Sequence, residues 1–270
     1  MKAVIEEGIR SFVEQYRQRG TTETVWEMPV TAYASADDPL FETLKTAVSP
    51  THGSPRELMR HSRTVISYFL PFNHKIARGN RDGNECSRGW ALAYVETNAL
   101  IVDLNNHIAS ILDSYCYESV LLPPTHNFDT TTLISDWSHK HVAFIAGLGK
   151  FGLHRMIITQ QGCCGRLGSI ITSAPLEPTK RPEGEFCLFF YDGSCLKCVE
   201  KCASGALTSE RFDRRKCYDV LRANAVVHSG LGYADACGKC VSVVPCSFRN
   251  PVNRSTYVPF ATGATNKPLI

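Results

Sequence analysis

The chain has 270 residues, 43% of them hydrophobic and 20% charged, with a net charge of +3. That is enough length for one large domain or two modest ones with a real core. The small charge makes no case for nucleic acid, and no run of 18 apolar residues exists to span a bilayer.

In chain order, Ile5, Ile9, Phe12, Val13 and Tyr16 recur at helical spacing among charges. The segment reads as an amphipathic surface helix rather than a targeting peptide, and the expected compartment is the cytoplasm. VTAYASADD (30–38) and TVISYFLPF (64–72), rich in β-branched and aromatic residues, predict strands. Between them, Ser54-Pro55-Arg56-Glu57 has the form of a capping box with proline at the first helical position. From Trp90 to Tyr115 runs the longest helical pattern. It has one stripe of Leu92, Val95, Ala99 and Val102, and a second of Ile101, Leu104, Ile108 and Ile111. Two stripes predict a helix packed on more than one side. ESVLLPP (118–124) predicts a short strand, DWSHKHVAFIAG (136–147) a helix, and RMIITQ (155–160) and LGSIITSA (167–174) two strands. This alternation predicts an α/β or α+β layered domain over residues 1–182. APLEPTKRPEGE (174–185), with three prolines, is the linker candidate, and a cysteine-dense domain with two short helices at most is expected over 183–270.

Gly147-x-Gly149-x-x-Gly152 matches the dinucleotide fingerprint in letters only. That motif needs a strand before it and a helix after it, so that a pyrophosphate meets the helix N-terminus. Here a helical pattern precedes and a strand-like one follows. The glycines therefore read as positions of close backbone approach, to packing neighbours or to a flat cofactor. His139 and His141, two apart on a helix, point to different sides and are no metal pair. Beside a redox centre either of them, or His154, is a candidate proton donor. Cys163-Cys164 in QGCCGR reads as two loop or buried thiols, or as a thiol near a cofactor.

Twelve cysteines are out of place as disulfides in a reducing compartment, and eight of them lie between Cys187 and Cys246. Such local density points to metal. Cys195-x2-Cys198-x3-Cys202 matches three cysteines of the bacterial ferredoxin run, with Asp192 where the first cysteine belongs and Ala203 in place of proline. In two-cluster ferredoxins the fourth cysteine of a run ligates the other cluster. That rule groups Cys202, Cys217, Cys237 and Cys240 as one set. Cys195, Cys198 and Cys246 remain, completed by Asp192, by Cys187, or by nothing, the last giving a three-iron (3Fe-4S) cluster. A single zinc site of Cys195, Cys198, Cys237 and Cys240 is the competing arrangement, but it leaves Cys202, Cys217 and Cys246 without a role. Seven cysteines and one aspartate instead supply two four-ligand 4Fe-4S sites.

AGLGKFGLHRMIITQQGCCGRLGSIITSAPLEP (146–178), DGSCLKCVEKCASGAL (192–207), RRKCYDVL (214–221) and CGKCVSVVPC (237–246) together resemble the epoxyqueuosine reductase family, and in part the reductive dehalogenases. The resemblance is best over residues 139–246. It is to a short form, expected to lack the C-terminal helical-repeat region of longer members. It implies an N-terminal α/β domain of the cobalamin-processing, nitroreductase-like kind followed by a two-cluster, ferredoxin-like domain. It also implies electron transfer through two cubane clusters to a cofactor, with cobalamin a candidate, or to a substrate in the cleft between them. No D-x-H-x-x-G stretch is present, so a cobalamin is expected without a histidine lower ligand. The family's catalytic aspartate lies six residues before a Glu-Arg pair, which aligns with His139 and Lys140 and puts Leu133 at the aspartate position. The cleft candidates are Ser138, His139, His141, Lys150 and Asp136 for chemistry and Gly147, Gly149 and Gly152 for a cofactor. The expected partners are an electron-supplying redox protein and a small molecule, with neither membrane nor nucleic acid. The alternative is an electron carrier or adaptor with no catalytic site of its own.

Overall fold

The computed structural model describes residues 1–252. The remainder of the expected C-terminal domain, 253–270, lies outside the described residues. The chain opens with α1 (Lys2–Gln18), β1 (Val30–Ser35), α2 (Leu40–Ala47), α3 (Pro55–Leu58), β2 (Thr64–Pro71) and α4 (His74–Gly79). There follow α5 (Arg88–Asp113), β3 (Ser119–Leu121), a small hairpin of β4 (Phe128–Asp129) and β5 (Ile134–Ser135), and α6 (His139–Ala146). Then come the paired β6 (Gly149–Phe151) and β7 (Ile157–Thr159), and the long β8 (Gly165–Thr172). The cysteine-rich part carries α7 (Leu188–Asp192), α8 (Lys197–Glu200), α9 (Arg214–Val227) and a 3-10 turn at Lys239–Val241.

β1, β2, β8 and β3 form an antiparallel sheet in the order β1-β2-β8-β3, with Ile66 opposite both Tyr33 and Ile170. All eight residues of β2 are buried, because helices cover both faces of the sheet. Successive strand residues point to opposite faces. Ile66, Tyr68, Leu70 and Ile170 accordingly join the core made by α1 and α5, while Ala32, Ala34, Val65 and Ile171 join the core made by α2 and α6. Each fully buried Leu or Ile there contributes about 2 kcal/mol of burial. Two polar contacts tie α5 into this packing: the Trp26 indole N–H donates to Thr97 Oγ1 at 2.8 Å, and the Tyr68 hydroxyl to Asn105 Oδ1 at 2.6 Å.

The N-terminal helix, the capping box at Ser54, the long helix and the five strands expected from pattern all form. In α5, however, the second stripe is the core face, with Ile101, Leu104 and Ile108 buried. Of the first stripe, Val95 packs against the core from its edge, while Ala99 and Val102 are exposed, Val102 by 48%. The cysteine-rich part also holds more helix than expected. α9 spans 14 residues and buries only Asn224 and Ala225, so it has no apolar stripe to read; its start is capped instead by the Asp213 side chain, which accepts from Lys216 N–H. The proline-rich stretch at 174–185 forms no regular element, yet it is tied to the sheet edge. Thr179 N–H donates to Tyr33 O at 2.8 Å and Tyr33 N–H to Thr179 Oγ1 at 3.1 Å, and Arg181 pairs with Asp38. One core cluster contains both Ile66 and Cys187, Cys198 and Cys246, so sheet and cysteine-rich segment share an interior.

Candidate metal and active site

A cavity of about 440 Å³ opens at one end of the sheet, within the size range of small-molecule sites. Trp90 and Tyr94 of α5, Arg166 and Leu167 of β8, the approach to the β4–β5 hairpin at His126 and Phe128, the start of α6, and the cysteine-rich segment all line it. Cys202, Cys217, Cys237 and Cys240 are on its wall together. They are close enough that each neighbouring thiol, after burial, pushes the Cys240 proton affinity further up. Burial pushes Cys217 up to about 11. Four converging thiols suit a metal, which takes the place of their protons on binding.

The loop bearing Cys237 and Cys240 is held from the α/β side. The Asn80 amide donates to Cys237 O at 2.8 Å and to Ser242 Oγ at 3.1 Å, while the Lys239 ammonium donates to the backbone oxygens of Asn80 and Asp82. Gly238, at φ +67°, lies so near the Trp90 indole that an added Cβ would be 2.0 Å from the ring. Cys217 comes from α9, and Leu207 N–H donates to Cys202 Sγ at 3.4 Å.

A second, small pocket is lined by Cys187, Cys195, Cys198 and Cys246, together with His154, Val244 and Pro245. Burial, then Cys246 and Cys187, push Cys198 up to about 12. Asp192 is not among the lining residues; it is exposed at the end of α7, where its carboxylate accepts Ser194 N–H at 3.0 Å. Between this pocket and the larger cavity stand His154 and Cys163, both of which line the cavity. Cys163 Sγ is 3.9 Å and His154 Nε2 3.3 Å from Cys246 Sγ. The Cys163 contact, and next the histidine, hold Cys246 well below the usual thiol range, while burial and that same contact push Cys163 up. The three ligand atoms lie within 4.8 Å of one another.

Among the cleft candidates, Ser138 and His139 line the cavity. His139 Nε2 donates to Pro123 O at 2.9 Å and its Nδ1 accepts from Ser169 Oγ at 2.8 Å, since a carbonyl only accepts. Burial pushes the ring down to about 4; it is a neutral, fully bonded histidine. His141 pairs with Ser138 Oγ at 2.7 Å and is likewise pushed down to about 4, by burial and then by Lys140. It does not line the cavity, and neither do Lys150, whose ammonium sits over the Phe144 ring, nor Asp136, whose carboxylate accepts from Ser49 and Thr51 hydroxyls. The three glycines are packing positions. Gly147 ends α6 at φ +88°, a Cβ on Gly149 would be 2.0 Å from Ile158 O, and one on Gly152 would be 2.7 Å from His154.

Leu133 sits in the β4–β5 turn at φ +58°, and Asp129 beside it accepts from Thr131 and Thr132 N–H. The hairpin thus aims no carboxylate at the cavity, and among the described residues the one carboxylate that lines it is Asp235. The Tyr94 hydroxyl donates to Asp235 Oδ1 at 2.6 Å, His126 Nε2 is 3.1 Å from the same oxygen, and the Arg166 guanidinium lies 4.2 Å over the Tyr94 ring. Sequence reasoning missed this group, because its members are spread from residue 94 to 235; the nearest signal is an acid two residues before Cys237. Lys140 also lines the wall, pushed down by burial and then by Arg214 and Arg155, and pulled up by Cys217.

The fold and its site define a mixed α/β protein with two groups of four cysteines, one of them open to a cavity. No family model matches the chain. An epoxyqueuosine reductase of Bacillus anthracis is 27% identical over 176 residues, 62% of this chain and 42% of that protein. A structure of epoxyqueuosine reductase from Streptococcus thermophilus superposes with a TM-score of 0.54 at 17% identity, over 87% of this chain and 65% of that one. An epoxyqueuosine reductase bound to an epoxyqueuosine-modified tRNA-Tyr stem loop gives 0.55 at 18%, over 88% and 64%. The chain is similar to epoxyqueuosine reductases and has the fold of those structures, and its match spans less than half the length of that Bacillus relative. No helix among the described residues is long and apolar enough to cross a membrane.

Proposed function

We propose that the chain is an iron–sulfur oxidoreductase that passes electrons through two four-iron clusters to a small molecule in the 440 Å³ cavity. The observation that carries this reading is the sorting of eight cysteines into two pockets, one of which is also the wall of the cavity. Cys202, Cys217, Cys237 and Cys240 would hold one cluster and Cys187, Cys195, Cys198 and Cys246 the other, with Cys187 in place of Asp192. The finer fold reading is a nitroreductase-like layered domain followed, from residue 183, by a ferredoxin-like segment.

When bound, the clusters supply single-electron transfer. The chain's own residues do the rest. Phe72, Trp90 and Trp137 keep water from the cavity wall, where a lower dielectric strengthens every polar contact. Lys140 offers positive charge beside Cys217. Half-exposed His126, Asp235 and Tyr94 form a hydrogen-bonded chain from solvent to the wall, a route for the proton that a reduction consumes. Arg166, stacked on Tyr94 and bonded to Asn98 Oδ1 at 2.6 Å, orients the phenol. The resemblance puts Leu133 at the family's loop aspartate, and Asp235 is the carboxylate that lines the cavity instead. The substrate therefore need not be epoxyqueuosine in tRNA.

Cobalamin is the candidate cofactor for the cavity. Every histidine on the wall already has a protein partner at a ring nitrogen, which suits binding without a histidine lower ligand. A pure electron carrier needs no cavity beside its cluster, so the cavity favours the enzyme. Electrons would come from a redox partner protein. Anaerobic purification with iron and cobalt counted per chain tests the reading: about eight irons are expected from two cubanes. A colourless, zinc-only protein refutes it, and added cobalamin showing no spectral change removes the corrin.

A further inference from the structure

The third glycine of GLGKFG and the buried His154 beside it have no part in the function proposed above. We infer that His154 is a positioning residue for the second cluster: its Nε2–H donates to Cys246 Sγ and raises that cluster's reduction potential. The inference rests on the reading that Cys187, Cys195, Cys198 and Cys246 hold a cluster.

The proton can be assigned to Nε2 from bonding alone. Met156 backbone N–H donates to His154 Nδ1 at 3.1 Å. Nδ1 is therefore the acceptor, which leaves the ring proton on Nε2, 3.3 Å from the sulfur. The side chain is 4% exposed, so water does not compete for the contact. The turn that carries it is built around this aim. Gly152 N–H donates to Met156 O and Arg155 N–H to Gly152 O, both at 2.9 Å, and Arg155 is held at φ +64°. A non-glycine residue adopts that conformation only where the surrounding structure holds it there. A Cβ on Gly152 would lie 2.7 Å from Cε1 and 2.8 Å from Nε2 of His154, so glycine is what leaves room for the ring. Reduction adds negative charge to a cluster and its sulfurs, and an N–H directed at a ligand sulfur stabilises the reduced state more than the oxidised one. In the first set, Cys202 Sγ meets Leu207 N–H and the Ser204 hydroxyl, and among the described residues no imidazole is bonded to a sulfur of that set.

The test is a dithionite titration of the anaerobically purified full chain, followed by electron paramagnetic resonance. His154→Phe should lower the reduced-to-oxidised ratio of one cluster about tenfold at a given poise, equivalent to 59 mV for one electron, and leave the other unchanged. Gly152→Ala should move the same cluster the same way by displacing the ring without removing it, and His154→Gln, which keeps an N–H donor, should recover part of the shift. Full iron with unaltered potentials in His154→Phe overturns the inference, and so does an equal shift of both clusters. Loss of that cluster's iron in all three variants overturns it in favour of direct ligation by His154. Wild-type protein with iron in only one set overturns the cluster reading, and the inference with it.

Discussion

Replacing Cys187 with alanine separates two ligand sets that spacing alone leaves open. Cys187 is 7% exposed and shares a pocket with Cys195, Cys198 and Cys246, whereas Asp192 is exposed and turned to Ser194 N–H. Two four-thiolate sets correspond to about eight irons per chain. Cys187→Ala leaves one cubane with three thiolates. Iron should fall to about seven, with a three-iron signal in the oxidised protein, or to about four if the whole cluster is lost. Asp192→Ala should keep about eight, because the side chain it removes closes a surface turn. Iron assay and electron paramagnetic resonance on both variants, purified anaerobically in parallel, read the difference. Iron lost from Asp192→Ala and retained in Cys187→Ala would refute the reasoning, since burial and shared pocket would then be the wrong guides to ligation.

Acid should destabilise the fold through His139 and His141. Both are pushed from 6.5 down to about 4, so the unfolded chain binds their protons first as pH falls. The stability they contribute is intact above 6.5, is lost between 6.5 and 4, and does not change further below 4. The loss is about 3 kcal/mol per histidine over that window, measurable by denaturant unfolding at pH 7 and 4.5; equal stability at both would contradict it. Gly238→Ala should cost about 3 kcal/mol, because a methyl group meets the Trp90 ring at a residue with φ +67°. A thermal melt should drop by about 6–12 °C. Asn80→Ala strips the amide that holds Cys237 O and Ser242 Oγ. It should cost about 2 kcal/mol and loosen iron in the first cysteine set, read as faster release to a chelator.

Much of the fold was legible because it is amphipathic. Ile5, Ile9 and Val13 announce their helix by period alone, and β2, buried on both faces, is announced by its β-branched and aromatic residues. The parts that were not legible lack that signal. α9 buries two small residues in 14, and the β4–β5 hairpin has strands of two residues. In α5 two apolar stripes compete, and only the packing of the sheet decides that Ile101, Leu104 and Ile108 face inward.

The sequence by itself determined the chemistry available to this protein: eight clustered cysteines at ferredoxin-like spacing, and an alternation of strands and helices to carry them. Spacing reports which residues are near in the chain, so it placed Cys202 with its downstream partners and marked Asp192 as the odd position. It could not weigh Cys187 against Asp192, five residues apart at the two ends of α7, because the choice depends on which end of that short helix turns inward. The tertiary structure decided that Cys187 does. It also decided that Tyr94, His126, Arg166 and Asp235 meet on one wall, and that the glycine at 152 makes room for an imidazole. Those are contacts between elements remote in the chain, and only the closing of the core brings them within hydrogen-bonding distance.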